Sequence, residues 1–235
     1  MQDESDRRAR LCAAAQALDV PLDAMALDRL MAYLGLLQRW NRVYNLTALR
    51  DPDEMLSHHL VDSLAAVAPI RRMCGSLAGR DAGDRLRILD VGSGGGLPGV
   101  VLAVVERDWQ VCCVDTVAKK VGFIRQVAAE LQLPNLRGLH ARVEALGDSA
   151  THFDLVVSRA FASLADFTTL SRPTLAERGI WLAMKGRLPE AEIAALPAEV
   201  QVFHVEPLQV PGLDAQRCLV WLRPTPDKPQ RSASG

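Results

Sequence analysis

Residues 88–102, ILDVGSGGGLPGVVL, set Asp90 and then five glycines within eight positions (92, 94, 95, 96 and 99) between two apolar stretches. Glycine gives up more backbone freedom on folding than any other residue, so this density marks a turn that a ligand or another backbone approaches closely. An apolar strand that enters such a turn and leaves it as a helix is how open α/β sheets receive a nucleotide cofactor. Two registers compete. Read as G-x-G-x-x-G, Gly94, Gly96 and Gly99 fit a dinucleotide site, with Asp115 about twenty residues on to meet the ribose. Read as acidic-x-G-x-G-x-G, Asp90, Gly92, Gly94 and Gly96 fit the loop that S-adenosylmethionine methyltransferases place after their first strand. The second register is favoured, because Gly92 then ends the strand and Asp90 lies beside the methionine ammonium. Leu97 fills the slot of the third dinucleotide glycine, and Asp115 accepts ribose hydroxyls in either register. A turn that binds nothing is the remaining reading.

The acceptor side is read from FDLVVSRAFASL (153–164), where Ser158 and Arg159 stand at the end of a strand. It lacks the Asn/Asp-Pro-Pro-aromatic loop that orients exocyclic amines, and the five cysteines lie elsewhere, so no carbon-methylating nucleophile is placed here. Asp154 is the only carboxylate close by, too few for metal-assisted O-methylation. What survives is an acceptor that is already nucleophilic, such as a ring nitrogen with a free lone pair. Positioning is then most of the catalysis, no general base is required, and Arg159 is the candidate orienting residue.

These residues need a scaffold, and the pattern supplies two parts. Residues 1–80 read as a helical extension: Leu27, Leu30, Met31, Leu34 and Leu37 recur at helical spacing, and DPDEM opens a second helix with Asp51 as cap and Pro52 in its first turn. From 81 to 223 strands alternate with helices, the mark of a mostly parallel sheet covered on both faces. Strands are expected near 86–91, 110–115, 136–140, 153–158 and 179–184, with a final pair near 199–206 and 216–223 forming an antiparallel edge. Residues 224–235 lack large apolar side chains and read as a disordered tail. The fold class is thus α/β, a Rossmann-like sheet with an N-terminal helical extension.

The chain has 235 residues, a formal net charge of −1 and 49% hydrophobic composition, so bulk electrostatics does not announce a nucleic-acid binder. Basic and acidic residues number ten and ten over 1–80, and fifteen and seventeen over 81–223. No apolar run is long enough for a membrane span. No secretory signal is visible and the cysteines form no C-x-x-C, so a cytoplasmic protein without structural metal or disulfides is expected.

The segments LDVGSGGGLPG, ARVEAL, VVSRAFASL and AMKG, with NLTAL and HHLVDSLA upstream, resemble the bacterial small-subunit ribosomal RNA guanine-N7 methyltransferase family, also called glucose-inhibited division protein B. The resemblance spans about residues 25–223. It implies S-adenosyl-L-methionine as cofactor, and N7 of one guanine in 16S rRNA, free or in a small-subunit precursor, as methyl acceptor. It implies cofactor contacts at Gly92, Leu97, Val143, Glu144 and Arg159, to which the residue reading adds Gly94, Gly96 and Asp115. Lys185 in AMKG is a candidate substrate phosphate contact. A small-molecule methyltransferase and a non-catalytic S-adenosylmethionine-binding regulator are the alternatives, and a monomer is expected. Gly95 stands where the family pattern suggests Ala or Pro, which would loosen the loop. His58 and Asp62 share a face of an ideal helix, but with no third ligand HHLVDS is read as structural and no metal is expected. Trp40 and Tyr44 are read as core or interface rather than as base-stacking platforms, and Asp166 as the competing ion-pair partner for Arg159.

Overall fold

The computed structural model describes residues 2–75, 85–147, 152–161 and 163–226. Among these a seven-stranded sheet runs in the order β3-β2-β1-β4-β5-β7-β6. The strands are β1 (Arg87–Val91), β2 (Gln110–Asp115), β3 (Leu136–His140), β4 (Phe153–Arg159), β5 (Leu175–Lys185), β6 (Val200–Leu208) and β7 (Arg217–Pro224). β1 to β5 are parallel; β7 inserts antiparallel between β5 and the edge strand β6. The order reverses between β1 and β4, and open α/β sheets bind ligands outside the carboxyl ends of strands at such a point.

Alternation along the strands splits the apolar residues into two layers. Ile88, Val111, Cys113, Leu155 and Val157 face the N-terminal helices, whereas Leu89, Cys112, Val114 and Val156 face the opposite layer. The adjacent cysteines thus point to opposite sides, and no disulfide joins the cysteines of the described residues. Helices α1 (Gln2–Ala17), α2 (Ala24–Tyr44) and α5 (Val67–Gly75) share the first layer with α6 (Gly99–Val105) and α7 (Ala118–Glu130). The second layer holds α8 (Leu164–Ser171), with the short α9 (Glu190–Ala194) beside it. The helix opened by DPDEM does begin at Asp51, whose carboxylate accepts from the Asp53 and Glu54 N–H groups. It does not stay α-helical: α3 (Pro52–Met55) widens into a π-helical turn over Leu56–Val61 before α4 (Asp62–Leu64). α1 has no counterpart in the apolar periodicity, since only Leu11, Ala14 and Ala15 are buried along it. CGSLAGRDAGDR (74–85) reads as a Gly-rich connection between the two parts, and its residues 76–84, like most of the C-terminal tail, lie outside the described residues. No helix among the described residues is long and apolar enough to cross a membrane.

Candidate active site

The glycine loop is wound so tightly that only its residue types permit it. Gly92, Gly94 and Gly96 have φ of 68°, 57° and 86°, a left-handed region costly for any side chain. Gly92 and Ser93 both donate to the Val114 carbonyl, tying the loop to the end of β2. Asp115 completes the tie: its carboxylate accepts from Gly94 N–H at 3.0 Å and from Val117 N–H at 2.9 Å. From the other side, Tyr33 on α2 donates its hydroxyl to the Gly95 carbonyl at 2.6 Å. A Cβ on Gly95 would sit 3.1 Å from Leu37 Cδ1, so this glycine admits α2 to the loop rather than loosening it. Gly99 serves close packing: a Cβ there would lie 2.4 Å from Cys113 Sγ and 2.8 Å from Asp90 Oδ2.

Asp90 is not where the sequence reading put it. It is 0% exposed, sealed beneath the loop outside the walls of both cavities described below, with Oδ2 accepting from Gly99 N–H at 2.8 Å and Oδ1 without a partner. Strand alternation is the reason, since position 90 faces α6. Burial pushes its carboxyl pKa up to about 7, against the Gly99 hydrogen bond and the Arg159 guanidinium that favour the anion.

Two cavities open along the carboxyl ends of the central strands, and Gly92 belongs to the wall of each. The chain at the end of β4 divides them. Ala160 takes a left-handed φ of 64°, and the turn sends Arg159 into one cavity and the Phe161 ring into the other, 3.7 Å from where a Gly92 Cβ would be. The first cavity, about 320 Å³, has apolar walls from Val91, Val143 and Phe161 and the carboxylates of Asp115 and Glu144 at its rim. Glu144 stands second in a 3₁₀ turn after β3 (Val143–Leu146) and pairs with Arg142; backbone hydrogen bonding, together with that guanidinium, holds its carboxyl below the usual range. A planar heterocycle with vicinal hydroxyls matches these walls.

The second cavity, about 440 Å³, is lined by Leu97, Thr47, His59, Asp62, Arg159 and Arg217 among others. Arg159 does not pair with Asp166, which is held by Ser163. Its Nη1 instead donates to the His58 carbonyl at 2.8 Å and Asp62 Oδ2 at 3.2 Å, and its Nη2 lies 3.4 Å from His59 Nδ1. Arg217 Nε donates to the other oxygen, Asp62 Oδ1, at 2.8 Å. One buried carboxylate thus serves two guanidiniums, leaving a surplus positive charge on the wall. His59 Nε2 meets Thr47 Oγ1 at 2.7 Å; burial and the Arg159 charge lower its pKa to about 4, so the ring is neutral. HHLVDS is therefore part of the cavity wall and not merely structural, and it is His59 rather than His58 that joins Asp62 there. The sequence points to Asp62 only as a metal ligand lacking partners and does not point to Arg217; the signal for their pairing is a buried-pattern acid opposite basic residues at the ends of β4 and β7. Lys185 lies at the same mouth, with Nζ held by both carboxylate oxygens of Glu192 at 3.0 and 2.8 Å. Among the described residues no group of three His, Cys, Asp or Glu is arranged to hold a metal.

A family model described as rRNA small subunit methyltransferase G matches residues 26–220. A protein of that name from Leptothrix cholodnii (strain ATCC 51168 / LMG 8142 / SP-6) is 61% identical over 95% of this chain and 97% of its own. One from Acidovorax sp. (strain JS42) is 60% identical over 89% and 92%. Among solved structures, TrmN from Thermus thermophilus aligns with a TM-score of 0.52 at 18% identity, over 72% of this chain and 53% of that one. A mutant of MtNAS aligns with a TM-score of 0.52 at 14% identity, over 91% and 81%. At such identities the likeness is one of fold alone. The sequence matches go further, and by them the chain belongs to the rRNA small subunit methyltransferase G family.

Proposed function

We propose that this protein transfers a methyl group from S-adenosylmethionine to N7 of a guanine in 16S rRNA of the small ribosomal subunit. The cofactor fits the walls described: the 320 Å³ slot suits its adenosine, with Asp115 at the ribose hydroxyls, Val143 and Glu144 at the adenine, and Phe161 against a face. The backbone of Gly92, Gly94 and Gly96, Leu97 and the Arg159 guanidinium would hold the remainder where the two cavities meet. When bound, the cofactor supplies a methyl group on a sulfonium, electrophilic without further activation.

The observation that carries the acceptor assignment is the state of the second cavity's titratable groups. A base should have a pKa near the working pH. Asp62 is committed to two guanidiniums, and His59, at about 4, is a weak base already bonded at both nitrogens. Guanine N7 carries an in-plane lone pair and no proton, so its attack needs no base. The surplus cation formed by Arg159 and Arg217 suits an acceptor that arrives with phosphates. Lys185 enters only if Glu192 releases it.

Small subunits from cells lacking the protein, incubated with it and methyl-labelled S-adenosylmethionine, test the reading. Label recovered as 7-methylguanine from the small-subunit RNA is expected. Label in metabolites instead would point to a small-molecule enzyme, and label nowhere to a regulator that only binds the cofactor.

A further inference from the structure

Helix α2 ends at Tyr44, where Asn45 takes the left-handed conformation (φ 49°) and returns the chain to the second cavity, whose wall includes Leu46 and Thr47. This tip breaks the usual rule of apolar burial. Val43 is 69% and Tyr44 41% exposed, and Val117, just before α7, is 42% exposed. The tip is firmly braced. Tyr44 leans on Trp40 with ring centroids 4.9 Å apart, and Trp40 leans on the buried Phe123 at 5.4 Å. An exposed ring held from beneath has already lost its freedom, so little ordering remains when something lies on it.

The charge around it is one-sided. Residues 38–50 contain Arg39, Arg42 and Arg50, and residues 116–129 contain Lys119, Lys120 and Arg125, with no Asp or Glu in either stretch of a chain whose net charge is −1. Several of these cations are engaged: Arg39 with Glu130, Lys120 with Asp115, Arg125 with the Gly138 carbonyl. Lys119 has no acidic partner among the described residues; its Nζ stands over the Tyr44 ring, 5.3 Å from the centroid. Arg42 has no acidic partner among the described residues, and Arg50 reaches only Asn45 Oδ1. A rigid exposed ring among cations that lack counterions, beside the acceptor cavity, matches unpaired RNA, whose bases stack on aromatic faces while cations follow the phosphates.

We propose that Tyr44, with Lys119 at its ring, is not the core or interface residue that the sequence suggests but a stacking platform for an unpaired base of the RNA substrate next to the methylated guanine. The inference rests on the reading of the acceptor as RNA. A base laid on the ring displaces the Lys119 ammonium, which moves to the adjoining phosphate. The platform sets where the strand lies and leaves the chemistry to the cavity, so Tyr44 is a positioning residue.

Binding of a fluorescein-labelled single-stranded RNA decamer and methylation of small subunits are measured for wild type, Tyr44→Leu, Tyr44→Phe and Lys119→Gln. Tyr44→Leu should bind the decamer about 5- to 100-fold more weakly and raise KM for subunits, whereas Tyr44→Phe stays near wild type. Lys119→Gln should reduce the slope of log affinity against log salt by about 0.7. S-adenosylmethionine affinity and melting temperature should be unchanged in all three. Wild-type binding by Tyr44→Leu, a loss shared equally by Tyr44→Phe, or a loss of cofactor affinity would each overturn the proposal. So would a loss confined to assembled subunits with decamer binding intact, which would assign the tip to a ribosomal protein. If the wild type itself methylates no small-subunit RNA, the reading of the substrate has failed; if it does so and Tyr44→Leu matches it, only the platform has.

Discussion

Replacing Asp90 by asparagine probes the proton held beneath the glycine loop. Asp90 is 0% exposed and burial raises its pKa from 3.8 to about 7. Between those values the folded chain keeps a proton that the unfolded chain releases. Its contribution is therefore fully present below pH 3.8 and is lost as pH rises through about 7. At 1.36 kcal/mol per pH unit, that interval amounts to ~4 kcal/mol. Asparagine keeps an oxygen for the Gly99 N–H and cannot ionise. The unfolding free energy of Asp90→Asn minus that of wild type should therefore rise by ~4 kcal/mol between about pH 4 and pH 8. Taking the difference cancels His59, which acts the opposite way: its pKa is lowered from 6.5 to about 4, so its contribution is present above 6.5 and lost as pH falls through about 4. Urea unfolding followed by tryptophan fluorescence across that range supplies the free energies. A difference that is flat with pH would mean that Asp90 stays ionised in the folded protein, and the burial argument would be wrong.

Four further outcomes are expected. Gly96→Ala places a Cβ 2.5 Å from Val100 Cγ2 at a φ of 86°, and should lower stability by ~1–3 kcal/mol in urea or thermal unfolding; no change would mean the loop relaxes freely. Asp115→Ala strips the acceptor from the Gly94 and Val117 N–H groups, and should weaken S-adenosylmethionine binding by ~1–3 kcal/mol in calorimetry; an unchanged affinity would remove Asp115 from the ribose. Arg159→Lys keeps the charge but loses the planar fork shared by His58, Asp62 and His59, and should slow single-turnover methyl transfer ~10- to 100-fold. The wild-type rate should be nearly flat through neutral pH, and a tenfold rise per pH unit would demand a base.

The register of the glycine loop was legible because left-handed backbone leaves a mark in residue type: Gly92, Gly94 and Gly96 are the three loop residues with positive φ. The strands were legible because parallel strands buried on both faces read as continuous apolar runs between helical stretches, as in β2, where Cys112 and Cys113 are both buried. What escaped notice depends on long-range partners or on helix pitch. Asp62 meets Arg159 and Arg217 across 97 and 155 residues, a meeting that no local pattern encodes. The widening of a helix at Leu56–Val61 leaves apolar spacing nearly intact, so HHLVDS reads as an ordinary packed turn. Asp90 was misplaced because motif position was weighed above strand alternation. Lys185 looked free because Glu192 lies beyond a loop.

The wide turn carries a consequence for how this site tolerates change. In it the Asp62 N–H reaches the Ser57 carbonyl, five residues back rather than four. An i→i+5 turn holds one residue more than an α-helical turn over the same arc, so deleting one residue from it would restore the tighter pitch and leave everything after it at nearly the same angle around the helix axis. Asp62 would then keep its place between both guanidiniums. The wide turn is thus a spare length of chain, and a one-residue gap at 56–58 would be better tolerated than the loss of the carboxylate itself.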